Sequence, residues 1–153
     1  MADTGYRIVV GVDGSDAGVR ALRWAVREAS ARGGTVHAVA VWSWQGLDAL
    51  PASPQTARDA AEQLLGEAVA QVVQDAPRAV VVPRAVLGQP ADALVDYARD
   101  ADLLVLGSHG HGRLFHAVLG SVADQCVRTA HCPVVVVPVP QPAPTGTRGA
   151  VPV

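Results

Sequence analysis

Lysine is missing from this chain, because all twelve of its basic residues are arginine. A Walker-type phosphate loop needs the lysine of its motif, so that class of nucleotide-binding protein is excluded. A phosphorylated receiver domain is excluded too, since it needs a lysine late in the chain and paired acids after its first strand. The formal net charge of −2 provides no basic surface for nucleic acid. We therefore expect no DNA or RNA partner.

Cysteine and long apolar runs are also scarce. The two cysteines, Cys126 and Cys132, are too few for a disulfide framework and lack zinc-type spacing, so we interpret both as buried apolar residues. No apolar run reaches the length of about 18 residues that a membrane-spanning helix needs. No basic-then-apolar leader stands at the N-terminus. These features predict a soluble, cytoplasmic protein without a membrane partner.

What the chain does contain is a regular alternation of strand and helix patterns. Apolar and β-branched runs predict five strands, at residues 7–12, 35–41, 79–86, 103–106 and 134–137. Apolar residues at helical spacing predict four helices between them, including a second helix that starts at Ser53-Pro54 and turns Leu64 inward. Pro83 places the third strand at a sheet edge, because proline cannot donate to a ladder.

This alternation predicts an α/β fold, a single-domain doubly wound five-stranded parallel sheet. Half of the residues are hydrophobic (50%), which is enough for one full core in a domain over residues 1–138. Residues 139–153 are rich in proline and glycine and show no periodicity. We expect them to form a disordered tail.

The stretch from Leu103 to Val122 holds the strongest functional pattern, an apolar strand followed by a glycine-rich loop and a helix. The glycines are Gly107, Gly110, Gly112 and Gly120. Glycine lets backbone N–H groups approach a bulky anion without interference from Cβ. A helix from Ser121 would direct unpaired amides and the positive end of its dipole at that anion. The stretch is predicted to bind phosphate, with Ser121 as helix cap and Asp124 as its capping-box partner.

The spacing Gly-x2-Gly-x9-Gly-Ser in this stretch resembles the nucleotide-binding motif of the universal stress protein family. RIVVGVDGS at residues 7–15 and AHCPVVVVP at residues 130–138 match that family as well. The resemblance implies the strand order 3-2-1-4-5, in which the chain reverses direction between the first and fourth strands. Ligands bind beyond the carboxyl ends of strands at such a point. Asp13 and Gly107 follow those two strands and are therefore expected to meet in one cleft.

The resemblance also implies which residues bind an adenine nucleotide. The family's acid at the position of Asp13 contacts the nucleoside, and Val12 and Val41 match positions that line its adenine pocket. The expected site is completed by Gly107, Ser108, His109, Gly110, His111, Gly112, Arg113, Gly120, Ser121 and Val122. Plainer alternatives stay open: Asp13 as a helix-initiating turn residue, the two valines as core residues, and Arg113 as a solvated loop residue.

The polar loop residues suggest two further kinds of chemistry, metal binding and nucleophilic catalysis. We weigh both against phosphate binding. His109, His111 and His116 invite a metal hypothesis, but no cysteine or carboxylate completes a ligand set nearby, so no metal site is predicted. Histidine that donates to phosphate is favoured instead, and the guanidinium fork of Arg113 is a second phosphate candidate beside its solvated-loop alternative. Ser108 beside His109 does not make a nucleophile and base, because adjacent residues rarely face one another. We predict no catalysis beyond slow ATP hydrolysis.

The expected function is that of a small ATP-binding stress protein, a nucleotide-dependent sensor or regulator in which Mg²⁺ accompanies the ATP. Two alternatives stay open. One is a pocket that prefers cyclic AMP, and the other is a nucleotide-free interaction module, although family members of that kind generally lack the glycine pattern. The apolar strand Val134 to Val137 lies at the expected sheet edge opposite the third strand. The resemblance implies that it pairs with its symmetry mate in a homodimer, and the alternative is an edge covered by the tail.

Overall fold

The fold is given by a computed structural model that describes residues 5–46, 53–109 and 119–140. Strands and helices alternate along these ranges, as predicted, with strand ends that differ from the prediction by at most one residue. The elements are β1 (Arg7–Gly11), α1 (Asp16–Arg32), β2 (Thr35–Trp42), α2 (Pro54–Val73), β3 (Val80–Leu87), α3 (Pro90–Tyr97), β4 (Leu103–Gly107), α4 (Ser121–Thr129) and β5 (Val134–Val137). None of the described helices has the length and apolar character needed to cross a bilayer. The predicted tail from residue 141 onward lies outside the described residues.

All five strands form one parallel sheet in the order β3-β2-β1-β4-β5. This confirms the doubly wound sheet and the strand order that the resemblance implies. Pro83 lies in the edge strand β3, where one side of the strand needs no partner. In the centre, Val9 of β1 is the register partner of both His37 and Leu104. The chain thus reverses direction at β1 and β4, whose carboxyl ends open at the same edge of the sheet.

Helices cover both faces of the sheet. Successive residues of a strand point to opposite faces, and β1 shows this directly. Ile8 and Val10 pack into a cluster with α1 and α2, whereas Val9 packs into a second cluster with α3 and α4. All three side chains are 0% exposed. Burial on both faces explains why the strands read as continuous apolar runs without alternation.

Two core predictions differ from the structure. Leu65, at 2% exposure, holds the core position in α2, whereas Leu64 is only partly buried. Adjacent leucines cannot share one helix face, and Leu65 lies four residues after the buried Ala61. Cys126 is buried as predicted, but Cys132 is only partly buried. The structure therefore corrects the assignment of Leu64 and Cys132 to the core.

Cys126 should be unreactive in the folded protein. Burial, together with the nearby Asp92 carboxylate, raises the pKa of its thiol to about 11. Because the thiolate is the nucleophile, we expect an alkylating reagent near neutral pH to modify Cys126 roughly tenfold or more slowly in the native protein than in denaturant. Peptide mass spectrometry measures both rates, with Cys132 as the internal comparison. Equal rates in the native and denatured protein would contradict the burial of Cys126.

Candidate functional site

A cleft of about 520 Å³ opens at the carboxyl ends of β1, β2 and β4. Its walls are these strand ends, the beginnings of α1, α3 and α4, and one residue of α2. Parallel strands place their carboxyl ends at one edge of the sheet, and the helices that follow them begin there. The cleft therefore lies at the point where the strand order reverses, the usual place for a ligand in such a sheet.

The cleft lining includes every predicted site residue that the structure describes: Val12, Asp13, Val41, Gly107, Ser108, His109, Gly120, Ser121 and Val122. The other four, Gly110, His111, Gly112 and Arg113, lie outside the described residues. The first and second halves of the chain thus meet at one place, as the switch-point argument predicted. Whether each residue contacts a ligand stays a prediction.

Much of the cleft lining is apolar. Residues from β2, β4 and two helices, α2 and α3, form this apolar part: Val39, Ala40, Val41, Leu64, Pro90, Leu94 and Leu106. A flat ring with few polar atoms, such as a purine base, suits walls of this kind. Leu64, which was predicted to face the core, lines this apolar part of the cleft. Sequence patterns cannot distinguish a helix residue that lines a cleft from one that fills a core.

The beginning of α4 also lines the cleft, and the cap predicted for this helix is wrong. Gly120, at φ −58° and ψ 158°, is the N-cap, and Ser121 is already the first helical residue. Glycine has no side chain to accept from the first-turn amides, and no side-chain cap bond forms. The residues that carry these amides, Ser121, Val122 and Ala123, all line the cleft. Uncapped amides and the positive end of the helix dipole make this position favourable for an anion.

Ser108 holds the two ends of the glycine loop together. Its carbonyl oxygen accepts from the Gly120 N–H at 2.7 Å, and its own N–H donates to the Val137 carbonyl at 3.0 Å. Its hydroxyl oxygen accepts from the Val139 N–H at 3.3 Å. Ser108 therefore has a structural role that connects β4, the start of α4 and the segment after β5. The amide of Gly120 is engaged within the protein, so an anion would rely on the amides that follow it.

Gly107 is required by close packing of the backbone. A Cβ at this position would lie 2.8 Å from the carbonyl carbon and oxygen of Ala17 and 2.7 Å from its Cβ. Real Cβ atoms do not approach other atoms this closely, so α1 can pack on the end of β4 only if residue 107 is glycine. The structure thus gives a reason for this glycine that does not involve a ligand, beside the phosphate cradle that the motif predicts.

Asp13 has the turn role that the sequence left open, and its contact with a nucleotide stays a prediction. Its Oδ1 accepts from the Ser15 N–H at 3.0 Å and from the Ser15 hydroxyl. Ser15 is the N-cap of α1, and its hydroxyl oxygen accepts from the Gly18 N–H at 3.1 Å. Asp13 is therefore a turn residue at the helix start. Asp13 also lines the cleft, next to Val12.

The charge of the cleft is low. Asp13 is the only acidic residue among the described lining residues, and none of them is arginine. His109 lines the cleft as a polar ring that can donate to a ligand. No group of three or more potential metal-ligating side chains occurs among the described residues. In the described part of the site, negative charge on a ligand would thus be met by the amides of α4 and by His109.

Together, these observations define a doubly wound α/β domain with a small-ligand cleft at its topological switch point. The Universal stress protein family profile matches residues 6–138. The chain belongs to the universal stress protein family.

Curated relatives with a similar sequence include proteins from mycobacteria. Universal stress protein Rv2623 of Mycobacterium tuberculosis is 37% identical over 152 residues, which cover 90% of this chain and 51% of the relative. A universal stress protein of Mycolicibacterium smegmatis is 36% identical over 137 residues, covering 88% of this chain and 46% of the relative. The chain thus spans about half the length of the curated relatives it matches.

Solved structures of similar fold include two with a bound nucleotide. A universal stress protein in complex with cAMP is 29% identical with a TM-score of 0.69, covering 88% of this chain and 98% of that chain. The universal stress protein from Archaeoglobus fulgidus in complex with dAMP is 29% identical with a TM-score of 0.66, covering 86% of this chain and 96% of that chain. Both similarities extend over nearly the whole of the solved chain.

Proposed function

We propose that this chain binds an adenine nucleotide, ATP in the first place, and acts as a sensor or regulator. The observation that carries the proposal is the union of an apolar pocket and an uncapped helix start in one cleft of about 520 Å³. The base fits the apolar part of the cleft, and the phosphates fit the first-turn amides of α4. The solved relatives with bound cAMP and dAMP support this class of ligand.

In this proposal the described residues contact different parts of the ligand. Val12 and Val41 contact the base, Asp13 accepts from the ribose, and the beginning of α4 binds phosphate. His109 donates to the phosphates from the loop side. The remaining loop residues are proposed to complete the phosphate site: Gly110, His111, Gly112 and Arg113. A Mg²⁺ ion that accompanies ATP would be held mainly by the phosphates, because Asp13 is the only carboxylate among the described lining residues.

We propose no efficient catalysis at this site. Asp13, the only described carboxylate at the cleft, is bonded to the first turn of α1, which suits a binding role better than proton transfer to water. ATP hydrolysis therefore proceeds slowly at most.

Cyclic AMP is the competing ligand, because one solved relative holds it. Calorimetric titration of the purified chain with ATP and with cyclic AMP ranks the two. We expect saturable binding of ATP that cyclic AMP displaces only weakly. Tighter binding of cyclic AMP would reassign the ligand and keep the site. The absence of heat with either nucleotide up to millimolar concentration would remove the proposal and leave the nucleotide-free interaction module.

We further propose a homodimer through β5. The opposite edge of the sheet is protected, since Pro83 within β3 has no N–H to donate and the Arg84 guanidinium donates to the Pro83 carbonyl at 2.9 Å. The edge strand β5 consists of four valines and carries no such residue. Its Val136 is partly exposed and belongs to neither core cluster. An apolar edge of this kind suits pairing with a second copy of the chain.

The dimer proposal is tested by introducing the same charge at each edge of the sheet. Val136→Arg should shift the protein from dimer to monomer in sedimentation velocity, because a guanidinium would be buried in the paired edge. Val80→Arg at the β3 edge, where the valine is 55% exposed, is the matched control and should stay dimeric. A monomeric wild type, or a Val136→Arg variant that remains dimeric, would refute pairing through β5.

A further inference from the structure

We propose that Ser15 is a positioning residue for ligand recognition, which fixes the Asp13 carboxylate in the cleft through its amide and its hydroxyl, with Gly18 providing the space. The inference rests on the proposed nucleotide function. It assigns a role in the site to Ser15 and Gly18, which the sequence analysis did not count among the site residues. Sequence analysis placed neither of them in the site, because a serine before a helix is explained by capping alone.

Two donors of Ser15 converge on the same oxygen of Asp13. The Ser15 N–H reaches Oδ1 at 3.0 Å, and the Ser15 hydroxyl donates to the same atom. Hydrogen bonds to an ionised carboxylate are stronger than neutral ones. The side chain of Asp13 is exposed, and each bond to its carboxylate disfavours the other staggered rotamers. The two bonds therefore favour one orientation of the carboxylate in the cleft.

The hydroxyl of Ser15 is itself held by the helix. Its oxygen accepts from the Gly18 N–H at 3.1 Å, so the hydroxyl proton is left to point at Asp13. This sequence of bonds runs from the first turn of α1 to the carboxylate. The same hydroxyl thus caps α1 and orients Asp13. The position of the Asp13 carboxylate, which accepts from the ligand in this proposal, is therefore tied to a rigid helix.

Gly18 gives the carboxylate its room. A Cβ on residue 18 would lie 3.0 Å from Asp13 Oδ1 and 3.5 Å from Ser15 Oγ, so a larger residue would push the carboxylate out of place. Glycine inside a helix costs about 1 kcal/mol relative to alanine. Gly18 lies within α1 and is buried. The close approach of Asp13 accounts for a glycine that helix propensity alone would disfavour.

The chemistry of Asp13 selects the end of the ligand that it meets. A carboxylate accepts hydrogen bonds from hydroxyl groups and repels phosphate. Asp13 follows β1, whereas the phosphate position is at the beginning of α4, and both line the same cleft. The oriented carboxylate is thus matched to the ribose hydroxyls of a nucleotide whose phosphates lie at α4.

The test separates positioning from helix capping with three variants of Ser15. Ser15→Thr keeps both the cap and the hydroxyl donor. Ser15→Asp keeps a good N-cap but has no proton to donate and places a like charge beside Asp13. Ser15→Ala removes both. Each variant is titrated with ATP and with 2′,3′-dideoxy-ATP, which lacks the ribose hydroxyls, and its thermal midpoint is measured.

The readout is the ratio of the two affinities, since a charge added to the cleft weakens both ligands alike. We expect wild type and Ser15→Thr to prefer ATP roughly tenfold, the strength of a hydrogen bond to a charged group. In Ser15→Asp and Ser15→Ala only the amide bond to Asp13 remains of the two, so this preference should fall to roughly threefold or less, although Ser15→Asp unfolds near the wild-type temperature. An undiminished preference in both variants would show that Ser15 serves only as a helix cap and would overturn the inference.

Failure of the underlying function gives a different result. If the wild type binds both nucleotides equally, nucleotide binding stands while the positioning of Asp13 for ribose is wrong. If the wild type binds neither nucleotide, the proposed function fails, and the inference fails with it. The wild-type titrations therefore distinguish the two kinds of failure before any variant is compared.

Discussion

Ser121→Asp will remove most of the nucleotide affinity and leave the fold at least as stable as before. Ser121 is the first residue of α4, is exposed and lines the cleft. A carboxylate here would occupy the position that the account assigns to phosphate. Two unit charges about 5 Å apart cost about 3 kcal/mol at an effective dielectric constant of about 20. Solvent screening lowers this cost, so we expect a loss of affinity of roughly thirtyfold.

The same substitution should help the helix. An acidic residue in the first turn interacts favourably with the helix dipole, by about 0.3–1 kcal/mol. Binding and stability are thus expected to change in opposite directions, which general damage to the protein cannot imitate. Ser121→Asn is the matched control, because asparagine has nearly the same shape as aspartate without its charge. This variant should bind ATP within about threefold of the wild type. Calorimetry and thermal unfolding measure both quantities. Equal affinities of the Asp and Asn variants would contradict a phosphate position at this helix.

Gly107→Ala should be strongly destabilising whether or not a nucleotide is present. The added Cβ would lie 2.8 Å from backbone atoms of Ala17, which a side-chain rotation cannot relieve. α1 and β4 would have to separate, and we expect a cost of about 3 kcal/mol. In a domain of this size that lowers the midpoint of thermal unfolding by roughly 10 °C. Strain of the backbone dihedrals is not the cause, since Gly107 does not have a positive φ.

A second glycine in the chain provides the control. Gly66 lies in α2, is exposed, and a Cβ there would meet no atom within 4 Å. Gly66→Ala should therefore stabilise the protein by about 0.5–1 kcal/mol, because alanine is the better helix former. Opposite signs for the same chemical change would show that contact with Ala17 decides the result at residue 107. A Gly107→Ala variant as stable as the wild type would refute the close packing of α1 on β4.

The fold was largely predictable because its determinants are local. Strands buried on both faces read as apolar runs, and Pro83 marked β3 as an edge strand from one residue. The errors occur where one pattern permits two arrangements. Leu64 and Leu65 both satisfy a helical period, and only the packing of α2 on the sheet decides between them.

The candidate site was predictable where glycine spacing and strand ends locate it. Its helix-borne part was not, because Ser15 and Gly18 follow the ordinary pattern of a helix start, and Leu94 follows that of a buried helix face. The cap of α4 was assigned to Ser121 because serine is the usual cap, whereas the structure uses Gly120 and leaves the amides uncapped. Contacts between distant segments, such as Gly107 on Ala17, have no counterpart in a local pattern.

The central claim is that the first amides of α4 bind the phosphates of an adenine nucleotide. Amide NMR of the labelled protein tests it directly, by following Ser121, Val122 and Ala123 during titration with ATP and with adenosine. The account expects large shifts of these three amides with ATP and small ones with adenosine, while Val41 responds to both. Saturable binding of ATP that leaves the α4 amides unshifted would contradict it.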